Sequence, residues 1–382
     1  DGFSGSRAVI QPSRGGEAQM RRNTGILLLL AAAALLAARS AFGEAERTLR
    51  AEIPDAAHRA FAVENLVGAM HVTAGSGDSV SVVATVHAES EALAGAVRLE
   101  RVAGDAGAVT LHVRYPEDER TLRYPGRGED GDWSFDFFSF SSGNGHRYQG
   151  RTFRVSRSRG RLLYVDLEVR LPASVVAGRF QTLVGRIEAS GLEGKLTFDV
   201  ASADLRLERL RGQIALHGTS GDVIASDIAG VWSSDFNSGD CSIRGFRGES
   251  LSFHTTSGDV AARDIEASRV RIQTTSGDSS IRDADIEDLE ASATSGNVEI
   301  DQRGSRLARV RVDATSGDVL LRLPRDASFQ ADANLSSGDL RIDYRDVDPP
   351  VDDRSRGVHR HGTGGAEIRV KTSSGNLTIE PR

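Results

Sequence analysis

The sequence predicts an all-β fold: a parallel β-solenoid of ~19-residue two-strand rungs with inserted loops. Three observations predict it. A Thr-Ser-Gly-Asp tetrapeptide and its close variants recur through the second half of the chain. Apolar residues flank each copy at period two. The composition holds 41 glycines, nine prolines and only 5% aromatics, which suits many strands joined by turns.

The serines of the repeat are Ser220, Ser238, Ser257, Ser276, Ser295, Ser316, Ser337 and Ser374, at intervals of 18, 19, 19, 19, 21, 21 and 37. A degenerate copy, Ser202-Ala203-Asp204, precedes them, and an isolated copy, Ser76-Gly77-Asp78, lies far upstream. Six, four and two residues before each serine stand mostly apolar or small side chains, such as Leu251, Phe253 and Thr255 or Val270, Ile272 and Thr274. Three and five residues after it stand pairs such as Val260/Ala262 and Val319/Leu321. Period-two alternation marks a strand with one buried face. Each unit therefore reads as strand, Ser-Gly-Asp turn, strand and connecting loop. Glycine supplies a positive φ and Asp or Asn satisfies local donors. A unit this short cannot bury its apolar face alone, so copies must stack. Val270, Leu289 and Val310 are then neighbours in one column, and nine rungs at about 4.8 Å make a stack on the order of 40 Å. Propeller blades repeat at about twice this period, and antiparallel hairpins need no fixed register of this kind.

The chain divides in order. Residues 1–19 are polar and patternless and read as sequence upstream of a start at Met20. Residues 20–43 read as a secretory signal peptide: Arg21-Arg22, an apolar run from Ile26 to Ala38, and small residues at Ala41 and Gly43. The run is short for a membrane span. Membrane contact is expected only through this segment, if it is retained, and the protein is expected in the periplasm, at the cell surface or secreted. Residues 44–114 form an N-terminal β region with alternations such as Phe61–Val72 and Val109–Val113. Residues 115–160 break the pattern with a charged stretch and the aromatic run Asp132–Phe140, and read as a loop insertion. Residues 161–382 form the repeat domain, with a second loop insert at 344–365 behind the long interval before Ser374.

Val165-Asp-Leu-Glu-Val-Arg-Leu-Pro172, Val184-Gly-Arg-Ile-Glu-Ala189 and the repeated Thr-Ser-Gly-Asp-Val resemble the DUF4097 family, β-strand-repeat proteins provisionally named adhesins. The likeness covers residues 161–382 well and 60–114 weakly. It implies an exported or envelope-associated β-solenoid with an adhesive or scaffolding role, and carries over no catalytic residue.

Chemistry-bearing residues are few. The net charge of −7 argues against a nucleic-acid partner. Cys241 is the only cysteine, so no intrachain disulfide forms, and its inward column makes it a buried structural thiol. The Asp/Asn column at Asp222, Asp240, Asp259, Asp278, Asn297, Asp318, Asp339 and Asn376 could hold calcium along the turn edge, although calcium-binding rolls use a different, shorter repeat. The preferred reading has each Asp capping its own turn. Three residues before successive serines stand His217, Asp235 and His254. They are the candidate metal ligands, with only three ligands visible for zinc and an ordinary polar face as the preferred reading. His359 and His361, near Asp352 and Asp353, read as part of a charged loop. No Gly-x-Ser-x-Gly, His-Glu-x-x-His or phosphate loop is present.

The function expected is a non-catalytic, exported adhesion, scaffold or binding module of the cell envelope, with envelope glycans or proteins as partners and no cofactor. The alternatives are a polysaccharide-active enzyme on a solenoid scaffold and a calcium-dependent β-roll.

Overall fold

Alternating apolar and polar side chains become laddered strand almost throughout the computed structural model, which describes residues 44–103, 108–126, 145–351 and 357–382. The expected upstream extension, signal peptide, aromatic run and Asp352–Asp353 lie outside the described residues. Glu46–Arg382 form one unit, which holds the β architecture.

The regular rungs are long parallel strands, among them Cys241–Ser257, Val260–Ser276 and Ser279–Ser295. Leu251 registers with Val270, Val270 with Leu289 and Leu289 with Val310, and all four are buried. Beyond the corner, Cys241 registers with Val260 and Val260 with Ser279, also buried. The stretch read as a connecting loop is laddered too. Ile228, Phe246, Ile265 and Ala284 form a third buried column. Just before it, Asp227, Asp264 and Asp283 take left-handed backbone, with φ of 56°, 56° and 53°. Asp is one of the few residues that tolerates this region, so a recurring bend needs no glycine there.

The Ser-Gly-Asp corner works differently from the expectation. The Asp side chain does not cap its own turn. Asp259 N–H donates to Asp240 Oδ1 at 2.8 Å, Asp278 N–H to Asp259 Oδ1 at 2.8 Å, and Asn297 N–H to Asp278 Oδ1 at 2.7 Å. Each side chain therefore caps the following coil, and each N–H offsets the repulsion between stacked carboxylates. The glycine answers to the same stacking. At Gly277, φ is +127° and an added Cβ would lie 2.1 Å from Gly258 O.

At both ends, spatial order departs from chain order. Ser316 registers with Ser374, and Ser374 with Ser337. The last strands, Ala366–Ser374 and Leu377–Pro381, thus slot between Arg309–Leu323 and Phe329–Ile342. The long interval before Ser374 therefore does not lead to the next coil outward. Its insert contains Gly357–His361, which covers Phe329–Ala333 as an antiparallel edge strand. Leu340 and Ile342, beyond that cover, are only half-buried. At the N-terminal end, Ala60–Gly75 lies between Ser174–Ser190 and Arg161–Pro172, with Met70 registered to both Ile187 and Leu167. The coil corner here is Gly68, while Ser76-Gly77-Asp78 lies in a bend leading to the strand Val80–Ala88, outside the ladder.

The described flanks of the 115–160 segment carry three short strands, Thr121–Arg123, His146–Tyr148 and Arg151–Ser156. Buried phenols tie them to the stack. Tyr115 Oη donates to Asn65 Oδ1 at 2.8 Å, and Tyr148 Oη lies 2.9 Å from Val113 O. Burial raises both hydroxyl pKa values well above the ordinary phenol range.

Candidate functional site

Parallel in-register stacking places outward side chains of one column about 4.8 Å apart, so charged columns favour alternating sign. Several columns follow this. Arg271 pairs with Glu290 at 2.6 Å, Arg282 with Glu299 at 2.9 Å, Arg247 with Asp264 at 3.0 Å and Arg306 with Asp285 at 3.0 Å. These exposed pairs are worth little individually. They commit part of the surface charge, while exposed Lys195, Arg311 and Lys371 make no ion pair among the described residues.

One polar column differs. It runs Gln181, Asp199, His217, Asp235, His254, Gln273, Ser292 and Asp313, each in register with the next. The three candidate ligands named from the sequence, His217, Asp235 and His254, therefore do occupy adjacent rungs of one face. Asp199 is tied to Arg179 at 2.7 Å. The side chains of His217, Asp235, His254 and Gln273 make no hydrogen bond or ion pair among the described residues. Being neighbours along a strand column is not the same as converging on a point. No group of three or more His, Cys, Asp or Glu among the described residues is placed to hold a metal ion.

The first four members of the column, Gln181, Asp199, His217 and Asp235, line a shallow groove of about 350 Å³ together with Gly218, Thr219 and Asn237. The neighbouring outward column is small here, with Ala215, Ser233 and Ser252 in register, and becomes Arg271 and Glu290 further on. Gly218 belongs to the inward column between Val200 and Phe236, and an added Cβ there would sit 2.1 Å from Phe236 Cε1. Gln181 and the small wall are the parts sequence reasoning missed. The repeat contains the signal for both, but the serine-based count stops at Ser202, one coil short of Gln181. A second hollow of about 290 Å³ further along the same face is lined by Arg311, Asp313, Asp332, Asn334, Arg369 and Lys371.

The other candidates are structural. Cys241 is buried, and burial pushes its thiol up to about 12, which leaves it without thiolate character near neutrality. His359 is buried with Nδ1 2.7 Å from Pro349 O, and His361 packs tilted against both Phe329 and Tyr344 in a three-ring cluster. The sequence reading passed over His87, which is buried against Tyr164 with Nε2 3.3 Å from Asp166 and Nδ1 3.4 Å from Glu46.

Residues 195–380 match the family model described as Toastrack DUF4097. This segment belongs to the Toastrack DUF4097 family. The Toastrack segment takes in every coil from Leu196 to the inserted C-terminal strands, and with them His217, Asp235 and His254. No curated protein matches the chain. Solved structures similar to it include a provisionally named cell adhesion protein of Clostridium sporogenes ATCC 15579, 9% identical, covering 89% of this chain and 100% of that one at a TM-score of 0.21. A provisionally named adhesin of Bacteroides fragilis NCTC 9343 is 10% identical over 88% of this chain and 97% of that one, with a TM-score of 0.31. Another, of Parabacteroides merdae ATCC 43184, is 10% identical over the same shares, with a TM-score of 0.35.

Proposed function

We propose that the chain is a non-catalytic binding module that serves adhesion or scaffolding in the cell envelope, carried out of the cytoplasm by residues 20–43. No helix among the described residues is long and apolar enough to cross a membrane. The observation that supports the binding reading is the column His217, Asp235, His254 and Gln273: polar, outward and unpartnered among the described residues on four successive rungs. Such groups are hydrated in the free protein and can exchange water for a ligand's hydrogen bonds without breaking protein contacts. Successive coils present them in a line, which suits an extended partner over a compact one. A glycan-array screen of the purified chain, run beside an assay for newly released reducing ends, tests the reading. Binding without release supports it, and release of reducing ends would replace it with a polysaccharide-cleaving activity.

A further inference from the structure

The geometry points to a specific ligand class for the groove: a linear β-1,4-linked glycan lying along the stack axis over Asp199, His217, Asp235 and His254. The inference rests on the binding reading above and deepens it.

The column has a chemical period. Its residues alternate carboxylate, imidazole, carboxylate, imidazole over four consecutive rungs. The repeat is therefore two rungs, about 9.6 Å. In an extended β-1,4-linked chain each sugar advances about one rung and is turned over relative to the last. The same hydroxyl edge then faces the protein at every second sugar, at a spacing close to the two-rung repeat. A carboxylate accepts from hydroxyls, while an imidazole both donates and accepts. Alternation of the two thus matches alternation of the sugar edges. An α-1,4-linked chain coils and cannot keep this register.

The surroundings suit the same ligand. Ala215 and Ser233 keep the outward column beside His217 and Asp235 small, and Thr219 and Asn237 supply hydroxyl and amide groups on the other side. No arginine or lysine lines the groove, and Arg179 beside it is already paired with Asp199 at 2.7 Å, so the lining favours a neutral chain over an anionic one. Beyond Ser252 the small column continues as Arg271 and Glu290, which pair with each other at 2.6 Å.

Titration calorimetry with di-, tetra- and hexasaccharides of β-1,4-linked glucose and N-acetylglucosamine, and with α-1,4-linked glucose oligomers of the same lengths, tests the inference. The tetrasaccharide is expected to bind at least tenfold more tightly than the disaccharide, because it engages both carboxylate–imidazole pairs. The α-linked oligomers are expected not to bind. Ala215→Arg, which puts a long charged side chain in the outward column beside His217, is expected to weaken binding at least tenfold. His217→Ala with His254→Ala is expected to weaken it at least tenfold, and circular dichroism and melting curves report whether each variant is folded. Equal binding of α- and β-linked chains would overturn the inference. So would β-linked binding that survives both variants in folded protein. If no β-1,4-linked oligomer binds while the array identifies another ligand, this inference falls and the binding reading above remains.

Discussion

Asp318 Oδ1 accepts the backbone N–H of Asn376 at 2.8 Å, although 58 positions of chain separate them. Asn376 Oδ1 in turn accepts from Asp339 N–H at 2.9 Å. The corner ladder therefore runs from Asp318 to Asn376 to Asp339, and the coil formed by the end of the chain lies inside the stack. Glycine contacts trace the same path: a Cβ on Gly375 would meet Gly317 O, and one on Gly338 would meet Gly375 O, both at 2.1 Å.

Engineered disulfides read this order directly. Arg311 registers with Arg369, and Arg369 with Asp332. Arg311→Cys with Arg369→Cys places two Cα atoms about 5 Å apart, within disulfide reach, whereas Arg311→Cys with Asp332→Cys spans two rungs, about 9.6 Å, and is out of reach. Oxidation followed by non-reducing electrophoresis and peptide mapping should show the first bridge and not the second. Cys241 is buried and does not compete.

The corner glycines should differ sharply from the bend glycine. Gly277→Ala combines φ of +127° with a Cβ 2.1 Å from Gly258 O, so its two neighbouring coils must separate. The expected loss is on the order of 3 kcal/mol or more. Gly77→Ala, with φ of +88° and open space around it, should lose only about 1 kcal/mol. Urea unfolding of the two variants checks the contrast, and equal midpoints would contradict the stacking role.

Val312 is fully buried between Ala291 and Val370. Val312→Asp should be severely destabilising, because an unpaired charge enters the core, with a loss of about 4 kcal/mol or failure to fold. Its outward neighbour Arg311 is exposed, and Arg311→Ala should change stability by less than about 0.5 kcal/mol. Thermal melts that ranked the two alike would show the inward column to be misassigned.

Asp204 opens the corner ladder, its Oδ1 accepting from Asp222 N–H at 2.9 Å. Burial raises its carboxyl to about 7, against that hydrogen bond and the nearby Arg186 guanidinium, with Asp222 adding to the rise. A native value above the unfolded one means the folded state holds the proton more tightly. Its contribution is thus complete below the usual carboxylate range and is lost as pH rises through about 7. Stability should fall by on the order of 2 kcal/mol between about pH 5 and about pH 8 through this group. His71, whose pKa is raised mainly by its hydrogen bond to Glu188, contributes with the same sign. The readout is therefore the difference between wild type and Asp204→Asn. Asn keeps the Oδ1 acceptor, as Asn297 and Asn376 do elsewhere in the ladder, and should flatten the profile. An unchanged slope would mean Asp204 does not titrate in this range.

Much of the architecture was legible because β-strand periodicity is local. The inward columns through Leu251, Val270, Leu289 and Val310 follow from counting by two, and their neighbours follow from counting by coil length. The same count placed His217, Asp235 and His254 on adjacent rungs. It could not show that their side chains fail to converge, since that depends on rotamers and on the flatness of the face. Nor could it reveal the groove, which Gln181, Asp199, His217 and Asp235 on successive coils line together with Gly218, Thr219 and Asn237.

Taken alone, then, the amino-acid order determined which side chains face inward, where the corners fall and which residues share a column, because each depends on spacing within one coil. The tertiary structure alone decided the sequence of coils in space, the transfer of each Asp cap to the following coil, the insertion of Ala366–Pro381 between earlier strands and that of Ala60–Gly75 between later ones. Parallel pairing energy depends on which two edges meet, not on how much chain lies between them, and every coil presents the same edge. Repetition makes the partners interchangeable to a reader of the sequence, and only packing at the ends distinguishes them.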